Sequence, residues 1–272
     1  MATCASHYLI GHNSYMLSKL SKSLWTIFTE SFGTSFIHPQ SLLLRFQRVA
    51  VDEAKKHAKG KLIDIGCGRM PYRGELEPLV DSYTGVDHPS VSKLYKSDIK
   101  PDILADAKKL PFKDKEFNIA LLFQVLEHVD SPREVIKEAA RVLKPNGAIV
   151  ISVPFLYPLH DMPHDWARYT SSALKGMLNE SGFEVTKIVE QGGFVEFWLQ
   201  LLNTFLVKRI YDMVKRMDVL SIILLLPMVL FSVPVIVTNN LLIIAFGFIV
   251  KIFPKYPNYF PLQYIVVAKT KN

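Results

Sequence analysis

Asp64, Gly66 and Gly68 close an apolar run that begins at Leu62. Asp87 closes a second run, Tyr83-Thr84-Gly85-Val86, 23 residues after Asp64. Glycines after a strand let the backbone approach a ligand where a Cβ would collide. An acid about twenty residues further on can accept hydrogen bonds from ribose hydroxyls. The chemistry implied is recognition of a nucleoside cofactor. Gly66-x-Gly68 lacks the third glycine of a dinucleotide fingerprint, and Pro71 stands where that pattern would close. Taken alone, the motif is weak and is compatible with a nicotinamide cofactor.

A second concentration of chemistry lies between Pro154 and Thr170: His160, Asp161, His164, Asp165, Trp166, Arg168 and Tyr169. His160 and His164 are candidates to take a proton from an acceptor hydroxyl, because imidazole titrates near neutrality. The spacing of these His and Asp residues compels no metal site, and none is expected. The bland alternative is a rigid lid, with Asp165 and Arg168 paired one helical turn apart.

Elements must hold these residues in place. Strands are expected near 61–65, 82–86, 102–105, 117–122, 147–152, 183–189 and 264–268. Helices are expected from Leu42 to Ala58, from Pro132 to Leu143 and from Thr170 to Asn179. Strands alternating with helices imply a parallel sheet. The expected fold is α/β and Rossmann-like: seven mostly parallel strands flanked by helices, with the last strand antiparallel. Tyr15–Phe32 reads as a further helix, packed on the domain or attached to an interface.

Between the sixth and seventh strands lies an anomaly. Val219–Val250 is a run of 32 residues with no Asp, Glu, Lys, Arg or His. One membrane span needs roughly 20 residues and two need roughly 40. Pro227, Pro234 and Asn239-Asn240 interrupt the run, so a helical hairpin dipping into one leaflet is expected, its arms about 15–20 residues each. Lys208, Arg209, Lys215 and Arg216 precede it, and Lys251 and Lys255 follow. Basic residues on both flanks put both on the cytoplasmic side. A buried core hairpin is the alternative, but so much apolar surface would overwhelm a small soluble domain.

The net charge of +7 is spread without a long basic block, and Cys4 and Cys67 form no disulfide framework or zinc spacing. A reducing, intracellular setting is expected. Charge alone fits an anionic membrane as well as nucleic acid; with the apolar run, a membrane surface is the expected partner and nucleic acid is not.

From about 60 to 190, and again at 264–268, the chain resembles the class I S-adenosylmethionine-dependent methyltransferases, in the broad group that includes ubiquinone-pathway enzymes. The resemblance rests on the ordered set Asp64-x-Gly66-x-Gly68, Asp87, Asp106-Ala107, Gln124-Val125-Leu126-Glu127-His128 and Leu143-Lys144-Pro145-Asn146-Gly147. It implies that Asp64, Gly66 and Gly68 hold the methionine portion of S-adenosyl-L-methionine. It implies Asp87 at the ribose, Asp106 and Ala107 at the adenine, and Gln124 lining the pocket. Glu127 and His128 read either as pocket residues or as ordinary loop residues.

The domain expectation is an N-terminal helical extension over 1–38, a methyltransferase domain over 39–192 plus 261–272, and a membrane-associating insertion over 193–260. The functional expectation is a membrane-associated methyltransferase. Its acceptor would be a lipid-linked glycan, an isoprenoid or quinone precursor, or another lipid. The rivals are a non-catalytic cofactor-binding scaffold and a nicotinamide-dependent oxidoreductase.

Overall fold

In a computed structural model, residues 35–92, 100–216, 218–249 and 258–271 are described. The expected helix over Tyr15–Phe32 and the flanking Lys251 and Lys255 lie outside them. The elements run α1 (Ser41–His57), β1 (Lys61–Ile65), β2 (Ser82–Asp87), β3 (Ile103–Leu104), β4 (Phe117–Phe123), α2 (Pro132–Val142), β5 (Leu143–Pro154), α3 (Ser171–Glu180), β6 (Phe183–Gln191), α4 (Phe194–Arg216), α5 (Val219–Ile249) and β7 (Gln263–Thr270). The strands form one seven-stranded sheet in the order β3-β2-β1-β4-β5-β7-β6. The pairs from β3 to β5 are parallel, and β7 is antiparallel to both its neighbours. The α/β fold class expected from the sequence is the one observed.

Alternation along each strand builds two cores, because successive side chains point to opposite faces. Ile63 and Ile65, Ala120 and Leu122, Ile149 and Ile151, and Val266 and Ala268 face one layer. That layer is completed by Val135, Ile136, Ala139 and Val142 of α2 and by Leu174, Met177 and Leu178 of α3. Leu62, Ile119, Leu121, Val150, Ile265 and Val267 face the other, against Ala50, Val51 and Ala54 of α1. With both faces covered, the central strands read as continuous apolar runs. α2 starts on Pro132, whose missing N–H costs nothing in the first turn. Thr170 caps α3 by accepting from the Ala173 N–H at 3.2 Å.

The chain divides into two compact units, one of residues 46–194 with 257–272, the other of 1–45 with 195–256. In the second, α4 and α5 form the apolar helical pair expected between β6 and β7. The turn of the pair lies elsewhere than its sequence suggested. Val219–Ile249 is one continuous helix through Pro227 and Pro234, and its partner arm is α4. Each proline removes one backbone hydrogen bond, which kinks a helix without having to end it. Asn239 and Asn240 do not break α5 either, because their amides are used elsewhere. Asn203 Nδ2 donates to Asn240 Oδ1 at 3.0 Å, and Asn239 Nδ2 donates to Asn203 Oδ1 at 2.8 Å. Asn240 Nδ2 donates to the carbonyls of Phe36 and His38 at 2.7 and 3.0 Å. Asp218 caps α5 by accepting from the Ser221 N–H at 2.7 Å. Among the described residues, α5 is the one helix long and apolar enough to cross a membrane. Leu220, Ile223, Leu226, Leu230, Phe231 and Phe248 are all exposed on it.

Candidate functional site

Ligands of open α/β sheets bind outside the carboxyl ends of the strands, and the candidate residues gather there. β1 leads into Gly66 and Gly68, with φ of 73° and 55°. The N–H groups of Gly66 and Cys67 donate to Val86 O at 2.8 and 3.1 Å, folding the loop over the end of β2. A Cβ on Gly66 would lie 2.4 Å from Val125 Cγ2, so the glycine is also required by the chain leaving β4.

Asp87 ends β2 and is 7% exposed. Its Oδ2 accepts from the Gly68 N–H at 3.0 Å and its Oδ1 from the His88 N–H at 2.7 Å. Asp64, 3% exposed, accepts a short hydrogen bond from the Tyr83 hydroxyl. Burial pushes its carboxyl up to about 7 against the opposing effect of that hydrogen bond, and nearby Asp87 adds to the rise. Tyr83 was not singled out from sequence; its place in an apolar strand gave no signal of a polar partner.

Asp106 follows β3 and is partly buried beside Ala107. Its Oδ1 accepts from the Lys108 N–H at 2.9 Å, so it caps a turn, and its Oδ2 is 3.9 Å from Lys108 Nζ. The Ala105 N–H donates to Asp87 O at 3.0 Å, joining this segment to the end of β2. Gln124 follows β4 in a left-handed conformation with φ of 57°. Non-glycine residues held there cluster at functional sites. Its Nε2 donates to Ser152 Oγ at 3.2 Å.

The chain after β4 makes a single turn of 3₁₀ helix, Leu126–His128. The loop after β5 folds onto it. Trp166 N–H donates to Glu127 O at 2.8 Å, and the Tyr169 hydroxyl donates to Leu126 O at 3.0 Å. His128 Nδ1 is 2.9 Å from His164 O, and the His128 and His160 rings meet edge to face with centroids 4.8 Å apart. The expected Asp165–Arg168 pair forms: Arg168 Nη2 donates to Asp165 Oδ2 at 2.8 Å and Nη1 to Oδ1 at 2.5 Å. This pairing holds the Asp165 carboxyl well below the usual carboxylate range. Asp165 Oδ2 also accepts from the His160 N–H at 2.9 Å. His160 is thus brought into the cluster, with burial first and His128 second lowering its basicity. His164 is exposed and contributes its carbonyl. Glu127 is fully buried, and burial pushes its carboxyl up to about 8.

S-adenosyl-L-methionine fits the first group of residues. Asp87 is a buried carboxylate, the acceptor type that ribose hydroxyls need, beside glycines that admit close approach. Asp64 is a buried carboxyl suited to an ammonium, and Asp106 keeps an oxygen for an adenine amine. The seven-stranded order and this strand-end constellation define the class I S-adenosylmethionine-dependent methyltransferase fold. Residues 63–151 match the family model described as a methyltransferase domain.

Curated relatives include an uncharacterized protein of Methanocaldococcus jannaschii, 29% identical over 52% of this chain and 73% of its own length. The 27-O-demethylrifamycin SV methyltransferase of Amycolatopsis mediterranei is 30% identical over 37% of this chain and 41% of its own. The mitochondrial ubiquinone biosynthesis O-methyltransferase of Arabidopsis thaliana is 28% identical over 57% of this chain and 56% of its own. For these last two, the chain spans about half the relative's length. Among solved structures, the [4+2]-cyclase SpnF aligns with a TM-score of 0.52 at 17% identity, over 84% of this chain and 80% of that one. A putative sarcosine dimethylglycine methyltransferase from Galdieria sulphuraria aligns with a TM-score of 0.52 at 14% identity, over 84% of this chain and 86% of that one. These two likenesses concern the fold alone; one of the two proteins is a cyclase.

Proposed function

We propose that the protein is a membrane-associated S-adenosyl-L-methionine-dependent methyltransferase whose acceptor is borne by a lipid: a lipid-linked glycan, an isoprenoid or quinone precursor, or another lipid. The observation that carries the activity is the Asp87 carboxylate held against the Gly68 N–H, an acceptor site built beside a close-approach loop. Asp64, Gly66, Gly68, Asp106, Ala107 and Gln124 complete the proposed cofactor site. The bound cofactor supplies a methyl group on a sulfonium, already a good leaving group. The chain's own task is alignment and exclusion of water. With the cofactor bound, its methyl would pass to an electron pair on the acceptor's oxygen or carbon while the sulfur would keep the carbon–sulfur pair, and the acceptor would give up a proton. The polar cluster around His160 is where that proton would be handled; exposed His164 is the weaker candidate.

The lipid acceptor is supported by α5 and by relatives whose names include ubiquinone biosynthesis, demethylmenaquinone and sterol methyltransferases. In this reading residues 193–260 attach the protein to the cytoplasmic face of a membrane, 39–192 with 261–272 are the catalytic domain, and 1–38 is an extension. The test is transfer of labelled methyl groups to a lipid extract and to a soluble extract. Label in a lipid product supports the proposal. Label only in soluble products refutes the lipid acceptor. Binding of S-adenosylhomocysteine without any transfer points to a scaffold, and binding of NADH instead points to an oxidoreductase. Replacing 193–260 by a short linker should release the protein from membranes.

A further inference from the structure

Glu127 is the unexplained group of this site. It is fully buried, and neither carboxylate oxygen has a hydrogen-bond partner. A buried carboxylate left this way is costly, and a cation is one way to offset the cost. Nearby Arg168 does not serve, because its guanidinium is committed to Asp165. One ligand atom each from Glu127, His128 and His160 lies within 4.8 Å of the others. His128 Nε2 is 3.9 Å from Glu127 Oε1.

The imidazoles are oriented as ligands are. His128 Nδ1 faces the His164 carbonyl at 2.9 Å, which sets the proton on Nδ1 and leaves the Nε2 lone pair inward. His160 Nδ1 faces two acceptors, Pro158 O at 3.3 Å and Asp165 Oδ2 at 3.4 Å. Arg168 Nη2 is also 3.3 Å from it, but directs its hydrogens to Asp165 Oδ2 and Pro158 O. A carbonyl or carboxylate behind each histidine is the usual outer shell of a metal site.

The geometry points to a divalent-cation site formed by Glu127, His128 and His160. Two imidazoles and one carboxylate suit zinc or a neighbouring first-row ion, whereas magnesium prefers oxygen. Bonds of 2.0–2.1 Å need ligand atoms roughly 3.3 Å apart, so the side chains close inward by about an ångström. Three protein ligands leave an open position. Within the methyltransferase reading, on which this role rests, an acceptor hydroxyl there loses its proton to water more readily. Cation binding itself does not depend on that reading.

The test uses the full untagged chain in detergent, stripped with chelator and dialysed against Zn²⁺, then against Co²⁺ for its visible spectrum. One tightly held ion per chain is expected, with cobalt bands of a low-coordinate nitrogen–oxygen site. Glu127→Gln and His160→Ala should each weaken binding at least tenfold, while His164→Ala, which keeps the carbonyl behind His128, should not. Circular dichroism checks that the variants fold, and His160→Ala serves if Glu127→Gln does not. Absence of tight Zn²⁺ binding, equal binding by folded variants, or a preference for Mg²⁺ overturns the site. S-adenosylhomocysteine affinity, measured separately without metal, tests the methyltransferase reading independently.

Discussion

The Asp87 carboxylate at the end of β2 accepts a hydrogen bond from the Gly68 N–H at 3.0 Å. One side chain therefore fixes the shape of the loop after β1 while presenting acceptors of its own. Asp87→Ala should lower S-adenosylhomocysteine affinity by one to two orders of magnitude, as expected for losing charged hydrogen bonds of about 1.5–3 kcal/mol. Isothermal titration measures it, and an unchanged affinity would mean the ribose site lies elsewhere.

Gly66 and Val125 form a second such tie. Gly66→Ala places a Cβ 2.4 Å from Val125 Cγ2 at a φ of 73°. The expected loss of stability is about 2–4 kcal/mol, the sum of overpacking and left-handed strain. Adding Val125→Ala should restore part of the melting temperature by removing the clash but not the strain. No recovery in the double variant would show that packing against Val125 is not the constraint.

Asp64 makes stability depend on pH. Its carboxyl keeps a proton up to about 7 in the fold, whereas an unfolded aspartate loses it near 3.9. Between those values the folded state binds more protons, so stability falls as pH rises through this window. Asp64→Asn should flatten the fall and leave the variant roughly 2–4 kcal/mol more stable than the parent at pH 8 in the absence of cofactor. Denaturant unfolding across pH 4–8 reads this out; identical slopes for the two proteins would exclude Asp64 as the source.

Asn203 is the hinge of the amide network in the helical pair, bonded to both Asn239 and Asn240. Asn203→Leu strands two buried amides at roughly 1–3 kcal/mol each. Faster proteolysis within 195–249 is expected in detergent, with the α/β unit unaffected. Equal proteolysis of variant and parent would show that the network contributes little.

The α/β fold was legible because its strands are buried on both faces and punctuated by Gly66, Asp87 and Asp106 at their ends. The residues proposed for the cofactor could be placed at strand ends by type and spacing, since each belongs to a local strand-to-loop junction. The contact of Tyr83 with Asp64 was not legible, because it joins two strands that look apolar. Nor was the cluster of Glu127 with His160, which depends on the β5 loop folding back onto a turn 33 residues earlier. The length of α5 was misread for a related reason: Asn239 and Asn240 look like a break until Asn203 is placed opposite them.

The position of β7 has a consequence for biosynthesis. β6 pairs with no strand but β7 among the described residues, and β7 also completes the edge of β5. A ribosome makes β6 and then both apolar helices before it reaches Gln263. Until then the outer edge of β5 is open and β6 has no strand partner, while α5 is already made. In the membrane-associated reading proposed above, the apolar helices meet the bilayer before the sheet is closed, and a chain stalled before residue 263 would carry both helices beside an unfinished sheet.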